Sequence, residues 1–202
     1  MSLSVLRLLP SFKRRFSRYG VWGSVKRVFV KQYRHWFQRR VLVWEWRAGD
    51  PLPQPNPLLE CLRFESAEEI PAHVLRELVQ QDDESFTERM QFEFLHKGVF
   101  WVGRMGETVV GYQWHRQGDL VEDWQTKLTD LDIVIFSVVT FPAYRGRGLA
   151  KSILVQICQE VVGPGGTATA NCMIWNQPSI RLFQGAGFKK ITDFWAGPDH
   201  HF

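Results

Sequence analysis

From residue 58 onward the apolar positions form short alternating runs and helical stripes with little filler between them. The run at 59–65 predicts a strand. Helical spacing follows from about Glu68 to Gln81, and again over 84–96. GVFWVGR (98–104) and ETVVGYQWHR (107–116) predict two strands joined by the tight Met105-Gly106 turn. After a polar loop at 117–130, an apolar run at 131–140 predicts a further strand. Leu149, Ile153, Ile157 and Val161 then recur on one helical face, and Gly163-Pro164 stops that helix. A strand at 167–174, a short helix from Asn176 to Gly185 and a final strand pair near 188–195 complete the chain. Paired helices with a mixed, mainly antiparallel sheet predict an α+β fold.

The first 57 residues are patterned differently. VLVWEWR (41–47) alternates as a strand does, whereas AGDPLPQPNP (48–57) carries prolines at 51, 53, 55 and 57, which favour an extended connector. A domain boundary is expected there: an extension over 1–47 ending in a strand, a linker at 48–57, and one domain over 58–202. Within the extension, Phe12, Phe16 and Tyr19 share one side of a short helix opened by Pro10-Ser11. Ser24 caps a second expected helix, with Val25, Val28, Phe29, Trp36 and Phe37 at helical spacing and Arg27, Lys31 and Arg34 on another side.

Charge sharpens that division. Residues 1–44 hold no Asp or Glu; eleven of the 25 basic residues lie there, which leaves 14 basic against 21 acidic residues in the remainder. A basic amphipathic arm on an acidic body fits an anionic membrane surface bound through residues 1–40, or a partner, or packing of the arm on the body itself. Nothing approaches the roughly 20 apolar residues of a spanning helix. Arg7 interrupts the only early apolar run, which argues against a secretory signal. The arm also resembles a mitochondrial presequence, the lesser expectation beside a cytoplasmic location. It has the charge to meet nucleic acid but no nucleic-acid motif, which points away from that partner. Cys61, Cys158 and Cys172 form no CxxC pair, against both a disulfide framework and a zinc site.

The strongest chemical signal is VVTFPAYRGRGLAKSILVQI (138–157), where a strand hands over to a helix through Arg145-Gly146-Arg147-Gly148. A helix N-terminus presents unpaired N–H groups and partial positive charge. Glycines let a bulky anion approach that backbone, and the arginines add full charges. A pyrophosphate is the natural guest.

RGRGLA (145–150) resembles the Arg/Gln-x-x-Gly-x-Gly/Ala signature of the GNAT superfamily of acyl-CoA-dependent N-acyltransferases. NQPSIRLFQGAGF (176–188) is similar to that family's later motif, in which an Asn opens a helix that ends in Gly-Phe. The resemblance covers roughly 58–196 and implies a GNAT-type sheet and bound acetyl-CoA or another acyl-CoA. It implies that backbone groups of Val138, Val139 and Thr140 meet the pantetheine arm. The segment Arg145, Gly146, Arg147, Gly148, Leu149, Ala150 and Lys151 would hold the pyrophosphate, with Asn176 and Phe183 along the cofactor. Phe183 occupies the place where many relatives carry a proton-donating Tyr; Cys172, Ser179 or water would have to serve instead. Val134 and Phe136 stand where some relatives place a basic Glu or His. Asp132, on the same side of the strand, is the nearest candidate base, with Asp130 beside it. Asp82 and Asp83 (with Glu84), Glu122 and Asp123, and His115 are candidates for contact with a cationic acceptor. The expected activity is transfer of an acyl group, most simply acetyl, to a primary amine of a small molecule or an envelope or lipid precursor. The alternative is a silent acyl-CoA sensor or scaffold, and a homodimer is compatible with either.

Overall fold

The computed structural model describes residues 39–82, 85–122 and 124–196. The helices expected within 1–38, and the candidate residues Asp83, Glu84 and Asp123, lie outside that range. One seven-stranded sheet runs through the domain: β1 (Arg40–Arg47), β2 (Glu60–Phe64), β3 (Val99–Met105), β4 (Thr108–Gln117), β5 (Ile133–Thr140), β6 (Thr167–Met173) and β7 (Lys189–Trp195), in the order β2-β3-β4-β5-β6-β1-β7. Only the β5–β6 pair is parallel. Among the described residues four α-helices flank it: α1 (Ala72–Gln81), α2 (Phe86–Leu95), α3 (Leu149–Val161) and α4 (Gln177–Gly185). The α+β expectation and the element order hold.

Three expectations are corrected. Residues 41–47 do form a strand, but it sits inside the sheet, antiparallel to β6 on one side and to β7 on the other. The boundary expected at 48–57 therefore falls within the domain. The connector is fastened down: Asn56 donates its N–H to Ser152 Oγ of α3 at 3.0 Å, and Leu52 packs against the core. The carbonyl of Pro51 lies 2.7 Å from where a Cβ at Gly187 would stand, so only glycine fits there. The chain end, read as a strand pair, is the single strand β7, because its partner is β1 from the other end of the chain. The helix expected from Glu68 also begins later: a 3-10 turn covers Ala67–Glu69, and Pro71 stands at the start of α1.

The sheet separates two apolar layers. On one face α3 and α4 cover Leu42, Trp44, Trp46, Trp101, Ile133, Ile135, Ala168, Ala170 and Cys172. On the other, α1 and α2 cover Phe100, Val102, Tyr112 and Trp114. Each layer follows the period-2 alternation of the strands: along β4, Tyr112 and Trp114 face α1 and α2, while Gln113 and His115 face α3.

His115 is buried at 2% exposure, and Trp101 Nε1 donates to its Nδ1 at 2.8 Å, which places the ring proton on Nε2. It is thus a neutral histidine of the core. Burial, with a smaller push from Arg63, lowers its pKa to about 4. The unfolded chain takes up that proton first, so stability held above the ordinary value of 6.5 is lost as pH falls toward 4. The expected loss is on the order of 3 kcal/mol by urea unfolding. His115→Gln, whose side chain still accepts from Trp101, flattens the slope; an unchanged slope would refute the assignment.

Candidate functional site

β5 and β6 pair only where Ile133–Ile135 meet Ala168–Ala170. Beyond that point β5 runs on to Thr140 against β4, and β6 to Met173 against β1, so the two parallel strands part like a fork. A bulge marks the parting: Tyr112 pairs with Val139 and Trp114 with Phe136, leaving Ser137 and Val138 opposite Gln113. Ser137 takes a left-handed φ of 48°. On the closed side, Gly111 admits the carbonyl of Val139 to 2.3 Å from where a Cβ would stand, which holds β5 tight to β4. Val138, Val139 and Thr140 are half-buried along the open prong.

The fork leads to the turn singled out by sequence. Gly146 (φ 77°) and Gly148 (φ 74°) are left-handed, and an added Cβ at either would meet nothing within 4 Å. Gly148 caps α3, whose first hydrogen bond runs from the Ser152 amide to the Gly148 carbonyl. The amides from Gly146 to Lys151 have no acceptor among the described residues. Left-handed glycines, open space and aligned unpaired amides at the positive end of a 13-residue helix make an anion cradle. Arg145 Nε donates to the Thr140 carbonyl at 3.0 Å, closing the turn onto the fork's prong. Arg147 Cζ lies 5.7 Å from the Tyr144 ring centroid. Both arginines are exposed at the cradle's rim, and Lys151 is half-buried in the first turn of α3. Beneath it, Gln113 Nε2 donates to the Ala150 carbonyl at 2.5 Å, anchoring the start of α3 to β4 opposite the β5 bulge.

Asn176 stands at the N-cap of α4 and accepts from the Ser179 amide at 3.4 Å. Phe183 does not line the fork. It is 3% exposed, stacked on Trp44 at 6.1 Å and beside Phe188 at 5.7 Å, because it lies on the apolar face of a short amphipathic helix. Cys172 is buried in the same layer, and burial raises its thiol pKa.

Asp132 is also corrected. It lies before the first β5–β6 pair, at the closed end, and both its oxygens are engaged: one by the Thr129 amide and hydroxyl, the other by the Thr167 amide and hydroxyl. Burial works to raise its pKa, but those hydrogen bonds prevail and hold it below the ordinary carboxylate range. It braces the loop before β5 against the start of β6. Asp82, after α1, accepts from the Tyr112 hydroxyl and lies 3.3 Å from Arg89. Tyr112 pairs with Val139 on the open half of β5, so one side chain links Asp82 to a residue paired with that strand. Glu122 is exposed in its loop.

A family model described as the acetyltransferase (GNAT) family matches residues 64–188. This chain belongs to the GNAT acetyltransferase family. Its solved likenesses include a GNAT-family protein from Novosphingobium aromaticivorans, at 18% identity and TM-score 0.52, covering 77% of this chain and 61% of that one. Another is an acetyltransferase from the GNAT family from Colwellia psychrerythraea, at 13% identity and TM-score 0.53, covering 75% and 52%. A tandem GNAT protein from the clavulanic acid biosynthesis pathway matches at 12% identity and TM-score 0.53, covering 79% and 52%. The chain thus spans between 52% and 61% of these structures, and the likeness speaks to the fold. No curated protein matches the chain in sequence. Within this GNAT domain, no helix of the described residues is long and apolar enough to cross a membrane, and no cluster of metal-ligating side chains occurs among them.

Sequence reasoning missed one pair near the fork. Arg116 Nη2 lies 2.6 Å from Glu93 Oε2 of α2, and the Arg116 guanidinium sits 5.3 Å from the Phe136 ring centroid. The two are 23 residues apart and on different elements, so no spacing rule joins them.

Proposed function

We propose that the chain is an acyl-CoA-dependent N-acyltransferase that moves an acyl group, most simply acetyl, to a primary amine of a small molecule. The observation that carries this reading is the alignment of the β5–β6 fork with the unpaired amides of Gly146–Lys151. In it, the amides of Gly146 to Ala150, with Lys151, Arg145 and Arg147, hold the pyrophosphate. The backbone of Val138, Val139 and Thr140 pairs with the pantetheine arm where β6 has turned away, and Asn176 stands across the fork. Acetyl-CoA, when bound, supplies an activated acyl thioester. The protein's part is to fix the acyl group at the crotch, beside Phe136, and to bring the amine to it from the α1/α2 face.

Calorimetric titration with acetyl-CoA is expected to give saturable binding at a single site, and CoA release across a panel of primary amines to give turnover. Absence of binding would remove the reading. One observation favours a second reading, an acyl-CoA sensor: Phe183 cannot donate a proton and faces the core, and Asp132 is fully engaged elsewhere. Binding without turnover on any amine would select it.

A further inference from the structure

Phe136 is the first residue of β5 past its last pair with β6, and its ring packs on the α1/α2 layer, so it marks the crotch of the fork on that face. From Phe136 the contacts lead directly to a carboxylate. The Arg116 guanidinium lies over the ring, and Glu93 closes on Arg116 from α2. The Arg116 and Glu93 side chains are 17% and 18% exposed, largely withdrawn from water yet reachable. Arg116 engages Glu93 Oε2, while Oε1 accepts no hydrogen bond among the described residues. Two neighbouring carboxylates are committed elsewhere. Asp82 accepts from Tyr112, and Glu77 accepts from the Val109 amide and from Gln81.

We propose that Glu93 is the base that takes the proton from the acceptor ammonium, with Arg116 as the positioning residue that holds it beside Phe136. The proposal rests on the acyltransferase reading above. It supplies from a helix the carboxylate that β5 lacks. The ammonium gives one proton to Glu93 Oε1, directly or through one water. The freed nitrogen lone pair then forms the bond to the acyl carbon as the carbon–sulfur bond breaks. The nitrogen's second proton goes to the sulfur, and Glu93 returns its own to solvent. The environment is consistent with this use. Burial pushes the Glu93 pKa up, and Arg116 from β4 and His96 from its own helix pull it only part of the way back. An attached amine is thereby offered a carboxylate more basic than a solvated one.

The test compares the full chain with Glu93→Gln and Glu93→Asp. Toward an alkylamine from the panel, Glu93→Gln is expected to lose about 10²-fold or more in kcat/KM, the usual worth of a general base. Its calorimetric affinity for CoA should stay unchanged. Toward hydroxylamine, which is uncharged at neutral pH, the loss should be much smaller, and Glu93→Asp should recover part of the alkylamine rate. A readout independent of turnover is carbon-13 NMR of the glutamate carboxyls. One resonance should titrate above the ordinary value of about 4.3 and vanish in Glu93→Gln. If both variants fail to fold, that titration in the unaltered protein decides: a raised carboxyl supports the proposal and its absence overturns it. Unchanged alkylamine turnover, an equal loss with both nucleophiles, or lost CoA affinity would each overturn the base while leaving the acyltransferase standing. CoA binding with no turnover of any amine by the unaltered protein would remove both.

Discussion

A chain that begins at residue 48 is expected not to fold. Such a cut looks natural in the sequence, since it removes the basic arm and keeps everything that resembles the catalytic family. It also removes β1, which pairs with β6 from Val41 to Arg47 and with β7 from Arg40 to Glu45. Leu42, Trp44 and Trp46 leave the α3/α4 layer with it, and Thr169 loses the Trp44 carbonyl to which its hydroxyl donates. Truncating one buried Leu or Trp in place costs about 2–5 kcal/mol. Three together rival the whole stability of a domain, about 5–15 kcal/mol, before the orphaned strand edges are counted. Near-ultraviolet dichroism and a thermal scan check this. The 48–202 chain should show neither fixed aromatic signals nor a cooperative transition, and a cooperative transition would mean that β6 and β7 pair without β1.

Gly146→Asp is expected to weaken CoA binding by about 10²–10³-fold, from a Coulomb energy near 4 kcal/mol for two like charges about 4 Å apart at the effective dielectric of a protein surface. The new side chain has room, since an added Cβ meets nothing within 4 Å. The left-handed backbone at φ 77° adds strain of about 1–2 kcal/mol. Gly146→Ala separates the two effects, because it carries the strain without the charge. Calorimetry should find Gly146→Ala close to the unaltered protein and Gly146→Asp far weaker. Equal affinities for CoA in the two variants would mean that the amides of this turn do not face the pyrophosphate.

The parts of the site legible in the sequence are those encoded locally. The Gly-x-Gly handover from strand to helix needs left-handed residues at fixed offsets, and both glycines adopt that conformation. Asn176 caps its helix from the expected place. What sequence could not supply is set by partners far along the chain. Alternation identified 41–47 as a strand but not its neighbours, which come from 167–173 and 189–195. Side parity grouped Asp132 correctly with Val134 and Phe136, yet parity says nothing about which end of a fork is open. Phe183 matched a family position, and only the packing of Trp44 against it reveals that its ring belongs to the core. Glu93 carried no signal at all, being one acidic residue in a helix until Arg116 reaches it from β4.

The position of β1 also bears on how the protein is made. Its hydroxyl partner Thr169 lies 125 residues downstream of Trp44, on the far side of the GNAT domain's sequence. At ribosomal rates of about 5–20 residues per second, β1 waits on the order of ten seconds before a strand exists for it to join. Through that interval Leu42, Trp44 and Trp46 lack the strand pairing that seats them in their layer, and Glu45 is the only charge breaking the run from Val41 to Trp46. The nascent chain therefore carries an adhesive aromatic segment until β6 has emerged to pair with it. Slowing translation between β1 and β6 should lengthen that exposure and raise the demand for a chaperone that shields it.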